Sequence, residues 1–215
     1  NTPRLTIDMA EDRALALVMA SLTANAHIAE SWRVEGQFAE GVLTDPALPG
    51  AISTIEGGWS AAPEDGRPVI RVSAGEALLT ANAPATPDDR PLFNPLRIAD
   101  MNAVLANGEI NAYGAIVLDA NRQQLARFEA QHDVDQGVGV ARINAERITF
   151  GPSLQPYDIT EQARGMVEGV TGDAIVTASI DWTRDAIIGV GRAKLENVSL
   201  ATATIPVVNN VNGEV

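Results

Sequence analysis

Hydrophobic and polar residues alternate along most of this chain with a period of two residues. The alternation is clearest in residues 5–9, 15–19, 32–38, 70–74, 110–118 and 176–182. Successive side chains of an extended strand point to opposite faces of a sheet, so each stretch predicts a strand with one apolar and one polar face. Turn-forming residues separate the stretches at short intervals, for example at 63–67, 119–122 and 133–137, as an antiparallel meander requires. We therefore predict an all-β fold, mostly an antiparallel meander, of about 12 strands.

One segment departs from this rhythm and predicts a short helix. Asp158 and Glu161 have the spacing of a helix capping box. Apolar residues then fall near helical spacing, and Gly172 can end the helix; they are Ile159, Ala163, Met166, Val167 and Val170. The pattern predicts one helix of roughly three turns near residues 159–170, set among the strands.

The composition predicts that the apolar faces of these strands carry mostly small side chains. The chain has 215 residues, of which 46% are hydrophobic but only 4% are aromatic. This hydrophobic content excludes a disordered chain, but much of it is alanine, and two such faces would pack poorly against each other. Two interpretations stay open at this point. The sheet is closed by a second sheet as a β-sandwich, or it is one long sheet curled around something that is not protein.

The charge and the cysteine count exclude several functions. The formal net charge of -13 argues against binding of nucleic acid and against electrostatic docking on anionic lipid headgroups. The chain has no cysteine, so disulfides, thiolate metal sites and cysteine nucleophiles are excluded. The last residues are Asn212, Gly213, Glu214 and Val215, and a glycine in this setting usually opens a strand. We therefore expect a segment of a longer protein, whose anchors lie outside it.

The candidate catalytic and metal-binding groups have simpler explanations. The alternation predicts that His27 and His132 both fall on the polar positions of strand-like runs, and Asp133 and Asp135 beside His132 are typical turn residues. No Gly-x-Ser-x-Gly elbow occurs. The glycine pairs at 137–139 and 189–191 lack the third glycine and the helix of a dinucleotide site. We therefore predict that the chain is not an enzyme and binds no metal or cofactor.

Three features in residues 141–215 resemble a known family. They are the turn Phe150-Gly151-Pro152-Ser153-Leu154-Gln155-Pro156, the glycine-initiated strand that runs from Gly172 to Trp182, and the hairpin that joins Ser199-Leu200 to Asn212-Gly213. In this order they resemble the C-terminal region of the YdbH-like proteins of Gram-negative envelopes, which are relatives of TamB and other AsmA-like proteins. The resemblance implies a periplasmic β-groove, part of a protein anchored in the inner membrane, through which phospholipids move between the two membranes.

This resemblance implies a fold, a set of contact residues and a set of partners. The fold is an elongated, curled, taco-like sheet, with residues 1–215 as a single β-groove segment. The predicted helix would cap or plug the groove. An apolar floor would contact the lipid, and its candidate residues are Leu15, Leu17, Met19, Ile110, Ile116, Leu118, Phe128, Val176, Ile180 and Trp182.

The implied partners are phospholipid acyl chains, together with inner- and outer-membrane proteins at the ends of the full-length chain. The open sheet edges would also allow the segment to associate with itself. The alternative function is a non-catalytic β-sandwich interaction module of a large envelope or surface protein.

Overall fold

The chain folds into one antiparallel sheet. The computed structural model describes residues 4–10, 13–28, 31–44, 50–83, 89–202 and 207–214, with side chains from residue 16 onward. These residues form a 14-stranded sheet. The strands are β1 Arg4–Ala10, β2 Arg13–Val18, β3 Ser21–Leu22, β4 Asn25–Ile28, β5 Trp32–Thr44, β6 Gly50–Glu64, β7 Arg67–Ala81, β8 Leu96–Ala106, β9 Glu109–Leu118, β10 Gln124–Asp133, β11 Val138–Phe150, β12 Glu168–Trp182, β13 Ile187–Ala201 and β14 Val208–Glu214.

The strand order follows the chain, which confirms the predicted meander. The sheet runs β1-β2-β5 and then in sequence to β14, while β3 and β4 continue the line of β2 along β5. Two-residue turns join β6 to β7 and β8 to β9. In both turns the central residues have positive φ, at Asp65-Gly66 and Asn107-Gly108. This is the turn geometry that matches the twist of a hairpin, and Asp-Gly and Asn-Gly adopt it most readily.

The predicted helix is shorter than expected and begins earlier. Helix α1 covers only Pro156–Ile159, and a 3₁₀ turn covers Glu161–Ala163. The capping box forms one turn earlier than predicted, because the backbone N–H of Gln155 donates to the Asp158 carboxylate at 2.8 Å. Extended backbone at Thr160 then ends the helix. Of the apolar residues predicted to continue the helix, Ala163 ends the 3₁₀ turn, Met166 and Val167 lie in the connection that follows, and Val170 already belongs to β12.

The sheet is a single layer in the described part of the chain. All fourteen described strands belong to one sheet, so the described residues form no second sheet that could pack on either face. This arrangement contradicts the β-sandwich alternative and confirms an open sheet.

Most of the long strands are interrupted near their middle by a bulge. Register shifts occur within the pairings of β5 with β6, β8 with β9, β11 with β12 and β12 with β13. The pairing of β9 with β10 shifts at Gln124, where β10 begins. Positive φ values mark the same region at Glu40, Thr54, Asp100, Gly172 and Asn197. These residues form a diagonal across the sheet that we call the bulge line. Because bulges bend a strand and increase its twist, we expect the sheet to bend along the bulge line.

Candidate functional site: the apolar face of the sheet

One face of the sheet is apolar across most of its width. Directly paired residues of neighbouring strands lie on the same face, so the strand register identifies its rows. One row runs across β12 to β5 as Trp182, Gly139, His132, Ile110, Leu105, Ile70, Ala61 and Val34, and the next runs as Ile180, Ala141, Ala130, Ala112, Ala103, Val72, Trp59 and Gly36. We call these two rows the open floor. Each of their residues is partly exposed.

The residues between these rows belong to the opposite face. The corresponding row there is mostly polar and includes Asp181, Gln131, Asn111, Arg71 and Glu35. Adjacent residues of one strand, such as Ile180 and Asp181, therefore sample opposite environments. This is the basis on which the two faces can be tested separately.

The structure places most of the predicted floor residues on the apolar face. Ile110, Ile180 and Trp182 lie in the open floor. Phe128 and Val176 lie on the same face in the rows toward the bulge line, and Ile116 lies on that face beyond it, packed against the cluster around Leu118. Leu17 is paired with Leu43 of β5, while the side chain of Leu15 lies outside the described part of the chain.

An apolar cavity lies on this face near the N-terminal end of the sheet. Its volume is about 480 Å³, and its lining is entirely apolar. The lining residues are Leu17, Met19, Leu22, Phe38, Leu43, Ile55, Trp59, Ile70, Val72 and Met101. The predicted pair Leu17 and Met19 thus contributes to the same surface as β6, β7 and β8.

Beyond the bulge line, part of the apolar face is covered by the chain itself. Leu96, Leu118 and Leu125 form a cluster with Leu154, whose relative exposure is 0%. We call Leu96, Leu118 and Leu125 the covered floor. Ile159 of α1 packs against the same cluster, so this segment caps part of the face, as the sequence suggested. Leu118 has a relative exposure of 2% and lies under the cap, although its position along β9 is on the predicted face.

Two connections of the chain meet to form this cap. We call residues 89–95 and 151–167 together the cover. The backbone N–H of Asn94 donates to the Ile159 carbonyl at 2.8 Å, and the Asn94 amide donates to the Tyr157 carbonyl at 2.8 Å. Arg90 donates to the Glu161 carbonyl at 2.8 Å. These bonds join the connection before β8 to the connection before β12.

A buried glutamine fastens the cover to β12. Gln155 is buried, and its side-chain carbonyl accepts the backbone N–H of Val170 at 2.9 Å. Its amide donates to the Val170 carbonyl at 2.8 Å and to the Gly151 carbonyl at 2.6 Å. The amide of Gln155 therefore replaces strand pairing for Val170, whose own side chain is buried.

The polar face carries exposed ion pairs. Arg122 donates to Glu76 at 2.6 Å and lowers the pKa of that carboxyl group. Lys194 donates to Glu196 at 2.6 Å and lowers the pKa of that carboxyl group. For Asp173 the main cause of a lowered pKa is the Thr149 hydroxyl, which donates at 2.6 Å. These contacts keep the carboxylates ionised on the side of the sheet that faces away from the apolar floor.

His132 lies on the apolar face, which corrects the prediction from sequence. Its partners in register are Ile110 and Gly139, and its Nδ1 accepts the indole N–H of Trp182 at 3.1 Å. The Nδ1 atom of His132 therefore acts as a hydrogen-bond acceptor within the floor. His27 does lie on the opposite face, paired with Arg33. The described residues contain no cluster of three or more groups suited to hold a metal ion.

Sequence reasoning missed several residues of the apolar surface. Trp59, Ile70, Val72 and Met101 all line the apolar cavity. Ile70 and Val72 carried the same alternation as the predicted residues, so their shared face was detectable. Trp59 follows Gly57 and Gly58, and without large side chains at these positions the alternation around it is hidden.

Comparison with known proteins gives one match. The model of one family, described as YdbH-like, intermembrane phospholipid transport protein YdbH, matches residues 15–215. Searches of curated proteins and of solved structures found no match. Among the described residues, no helix is long and apolar enough to cross a membrane.

Proposed function

This chain belongs to the YdbH-like family, a family of intermembrane phospholipid transport, and we propose that it is a segment of a bridge-like conduit between the inner and outer membranes. In this proposal the acyl chains of a phospholipid lie on the open floor, and the polar headgroup stays in water. The lipid would move along the row direction, across successive strands.

The observation that carries the proposal is the continuous apolar face of a single-layer sheet. The open floor extends from β5 to β12 without a charged residue in either row. The described strands all belong to this one sheet, so no second sheet among them covers it. An apolar surface of this extent normally marks a binding site.

The energetics favour an acyl chain as the occupant. Each methylene group removed from water contributes about 0.8 kcal/mol, so shielding about ten methylenes contributes about 8 kcal/mol. The rows consist of alanine, glycine and larger apolar residues without a directional polar group, apart from His132, whose Nδ1 is occupied by Trp182. Such a surface holds an acyl chain without fixing its position, which suits a lipid that must slide.

The proposal extends to the full-length protein. We propose that it is anchored in the inner membrane, spans the periplasm and meets membrane proteins at its two ends. The segment would function without a catalytic step or a cofactor, and its unpaired strand edges would join to further strands of the same conduit or to another copy of the chain.

The test compares two adjacent residues of β12 in the full-length protein. A photo-crosslinking residue is placed at Ile180 in one variant and at Asp181 in another, and lipid adducts are measured in cells. We expect adducts at Ile180 and none at Asp181, because the two side chains point to opposite faces. Equal adducts at the two positions, or none at Ile180 in a folded protein, would contradict the proposal.

A further inference from the structure

Three aromatic rings on the apolar face lie over glycines of the neighbouring strand. A Cβ atom placed on Gly114 would lie 2.7 Å from Cε1 of Phe128. One placed on Gly36 would overlap the Thr23 carbonyl oxygen first and would also lie 2.7 Å from the indole nitrogen of Trp59. A Cβ atom on Gly139 would meet the ring of Trp182. Any larger residue at these positions would therefore have to displace the ring or the strand.

The rings share a direction as well as a partner. Each extends toward the N-terminal end of the sheet, with Phe128 of β10 over β9, Trp182 of β12 over β11 and Trp59 of β6 over β5. The indole N–H groups of Trp182 and Trp59 extend past the glycine strand and bond to the segment on its far side. Trp182 donates to His132 Nδ1 at 3.1 Å, and Trp59 donates to the Thr23 carbonyl at 3.3 Å. The polar indole N–H groups are thus paired within the protein, and the rings lie along the sheet.

We propose that Gly36, Gly114 and Gly139 are positioning residues of the lipid path, which hold these rings down on the sheet and so keep the floor clear for acyl chains. The proposal rests on the function proposed above. Pleated strands direct side chains away from the sheet, so an aromatic ring that lacked the space over its glycine would project into the volume above the floor. The same arrangement at three separate places indicates that the depth of this volume is maintained along the sheet.

Gly114 offers the sharpest test of this role. The two atoms nearest to its Cβ position are the outer ring atoms of Phe128, at 2.7 and 2.9 Å, while the nearest backbone atom is the Ala99 carbonyl at 3.1 Å. The added methyl of Gly114→Ala therefore acts mainly on the ring. At Gly36 and Gly139 a backbone carbonyl is also close, so substitutions there would move the strands as well.

The chain supplies a matched control on the same row of the same face. Gly191 lies on this row through its partners Ala178, Ile143 and Phe128. A Cβ atom on Gly191 would lie 3.9 Å from Ala178 Cβ, which is an ordinary contact. Gly191→Ala thus adds the same methyl group to the same face without displacing a ring.

The experiment measures lipid adducts of a photo-crosslinking residue at Ile143, beside Phe128, in the full-length protein in cells. Four backgrounds are compared: no further substitution, Gly114→Ala, Gly191→Ala and the double variant Gly114→Ala/Phe128→Ala. We expect Gly114→Ala to reduce the adducts at least about threefold, and Gly191→Ala to leave them within a factor of about 1.5, since only the first overpacks the floor. The double variant should restore the adducts, because it removes the displaced ring.

Each outcome has a distinct meaning. Adducts that are unchanged by Gly114→Ala would overturn the positioning role and leave the lipid path intact. Loss in both Gly114→Ala and the double variant would assign the effect to the backbone and would also overturn it. An absence of adducts in the unsubstituted background, with the protein folded, would contradict the proposed function itself.

Discussion

The two ends of strand β9 carry the same pattern and lie in different environments. Ile110, near the start of the strand, lies in the open floor and is partly exposed. Leu118, at its end, lies on the same apolar face with a relative exposure of 2% under the cover. The alternation of residues therefore decides which face a side chain occupies, while a separate segment of the chain decides whether protein or something else covers it.

The covered floor and the open floor differ in whether apolar groups of the chain pack on them. Over the covered floor, Leu154 and Ile159 supply apolar groups from the chain itself. The residues of the open floor, by contrast, all remain partly exposed. The comparison supports the proposal that a lipid acyl chain takes, on one half of the face, the place that leucine and isoleucine take on the other.

The largest expected effect is a difference in the free energy of unfolding between substitutions under the cover and substitutions in the open floor. Leu154→Ala should lower the free energy of unfolding by about 2–5 kcal/mol, because it leaves a cavity in a fully buried cluster. Leu105→Ala, the same substitution in the open floor, should cost less than about 1.5 kcal/mol, because no enclosed cavity forms around a partly exposed side chain. Denaturant unfolding of the purified chain measures both. Similar losses would indicate that the open floor is packed as tightly as the covered one.

A somewhat smaller effect is expected where the cover is fastened to β12. Gln155→Met keeps the length of the side chain but leaves the N–H and carbonyl of Val170 without the partners they have in Gln155. We expect a loss of about 1–3 kcal/mol, the cost of unpaired buried polar groups. Gln162→Met is the control, since Gln162 is exposed in the 3₁₀ turn. Thermal unfolding that is the same for both variants would show that the glutamine bonds do not hold the cover.

A still smaller effect on stability, combined with a large effect on lipid, is expected in the open floor. Ile180→Asp and Thr177→Asp introduce the same residue on opposite faces of β12, since Thr177 is exposed on the polar face and paired with Arg192. Both should cost about 1 kcal/mol through the poor strand propensity of aspartate. Only Ile180→Asp places a charge against acyl chains. It should reduce lipid co-purified with the full-length protein at least about tenfold, because burying an unpaired charge is costly. Equal lipid content in the two variants would show that the apolar face does not carry the lipid.

The smallest expected effect comes from the polar face. The pKa values of Glu76, Asp173 and Glu196 are lowered in the folded chain by their hydrogen-bond partners. Groups of this kind stabilise the fold above the unfolded pKa of about 4, and this contribution is lost as the pH falls through the lowered folded values. We expect the melting temperature to fall slightly as the pH is lowered from neutral to below about 4. Glu76→Gln should weaken this dependence, and an unchanged pH profile in Glu76→Gln would exclude a contribution from this pair.

The faces of the strands could be predicted from the sequence, and their cover could not. Ile110, Phe128 and Ile180 were assigned correctly to one face, because the period of a strand is fixed by backbone geometry. His132 was assigned to the polar face because its side chain is polar. It lies an even number of residues from Phe128 in the same strand, and so on the same face. The short helix was misplaced because Gln155 forms the cap instead of Asp158.

The cover depends on contacts between residues far apart in the sequence. Asn94 and Ile159 meet only after the strands between them have formed, and no local pattern marks that contact. The bulge line has the same origin. Glu40 and Thr54 have positive φ although their residue types rarely adopt it, so the pairing of whole strands sets the backbone there.

The central claim is that lipid occupies the open floor and is excluded from the covered floor. Its most direct test places the same photo-crosslinking residue at Ile110 and at Leu118 of the full-length protein, two positions on one face of one strand. We expect lipid adducts at Ile110 and few or none at Leu118, where the cover occupies the surface. Adducts at Leu118 equal to those at Ile110, or none at Ile110 in a folded protein, would contradict the account.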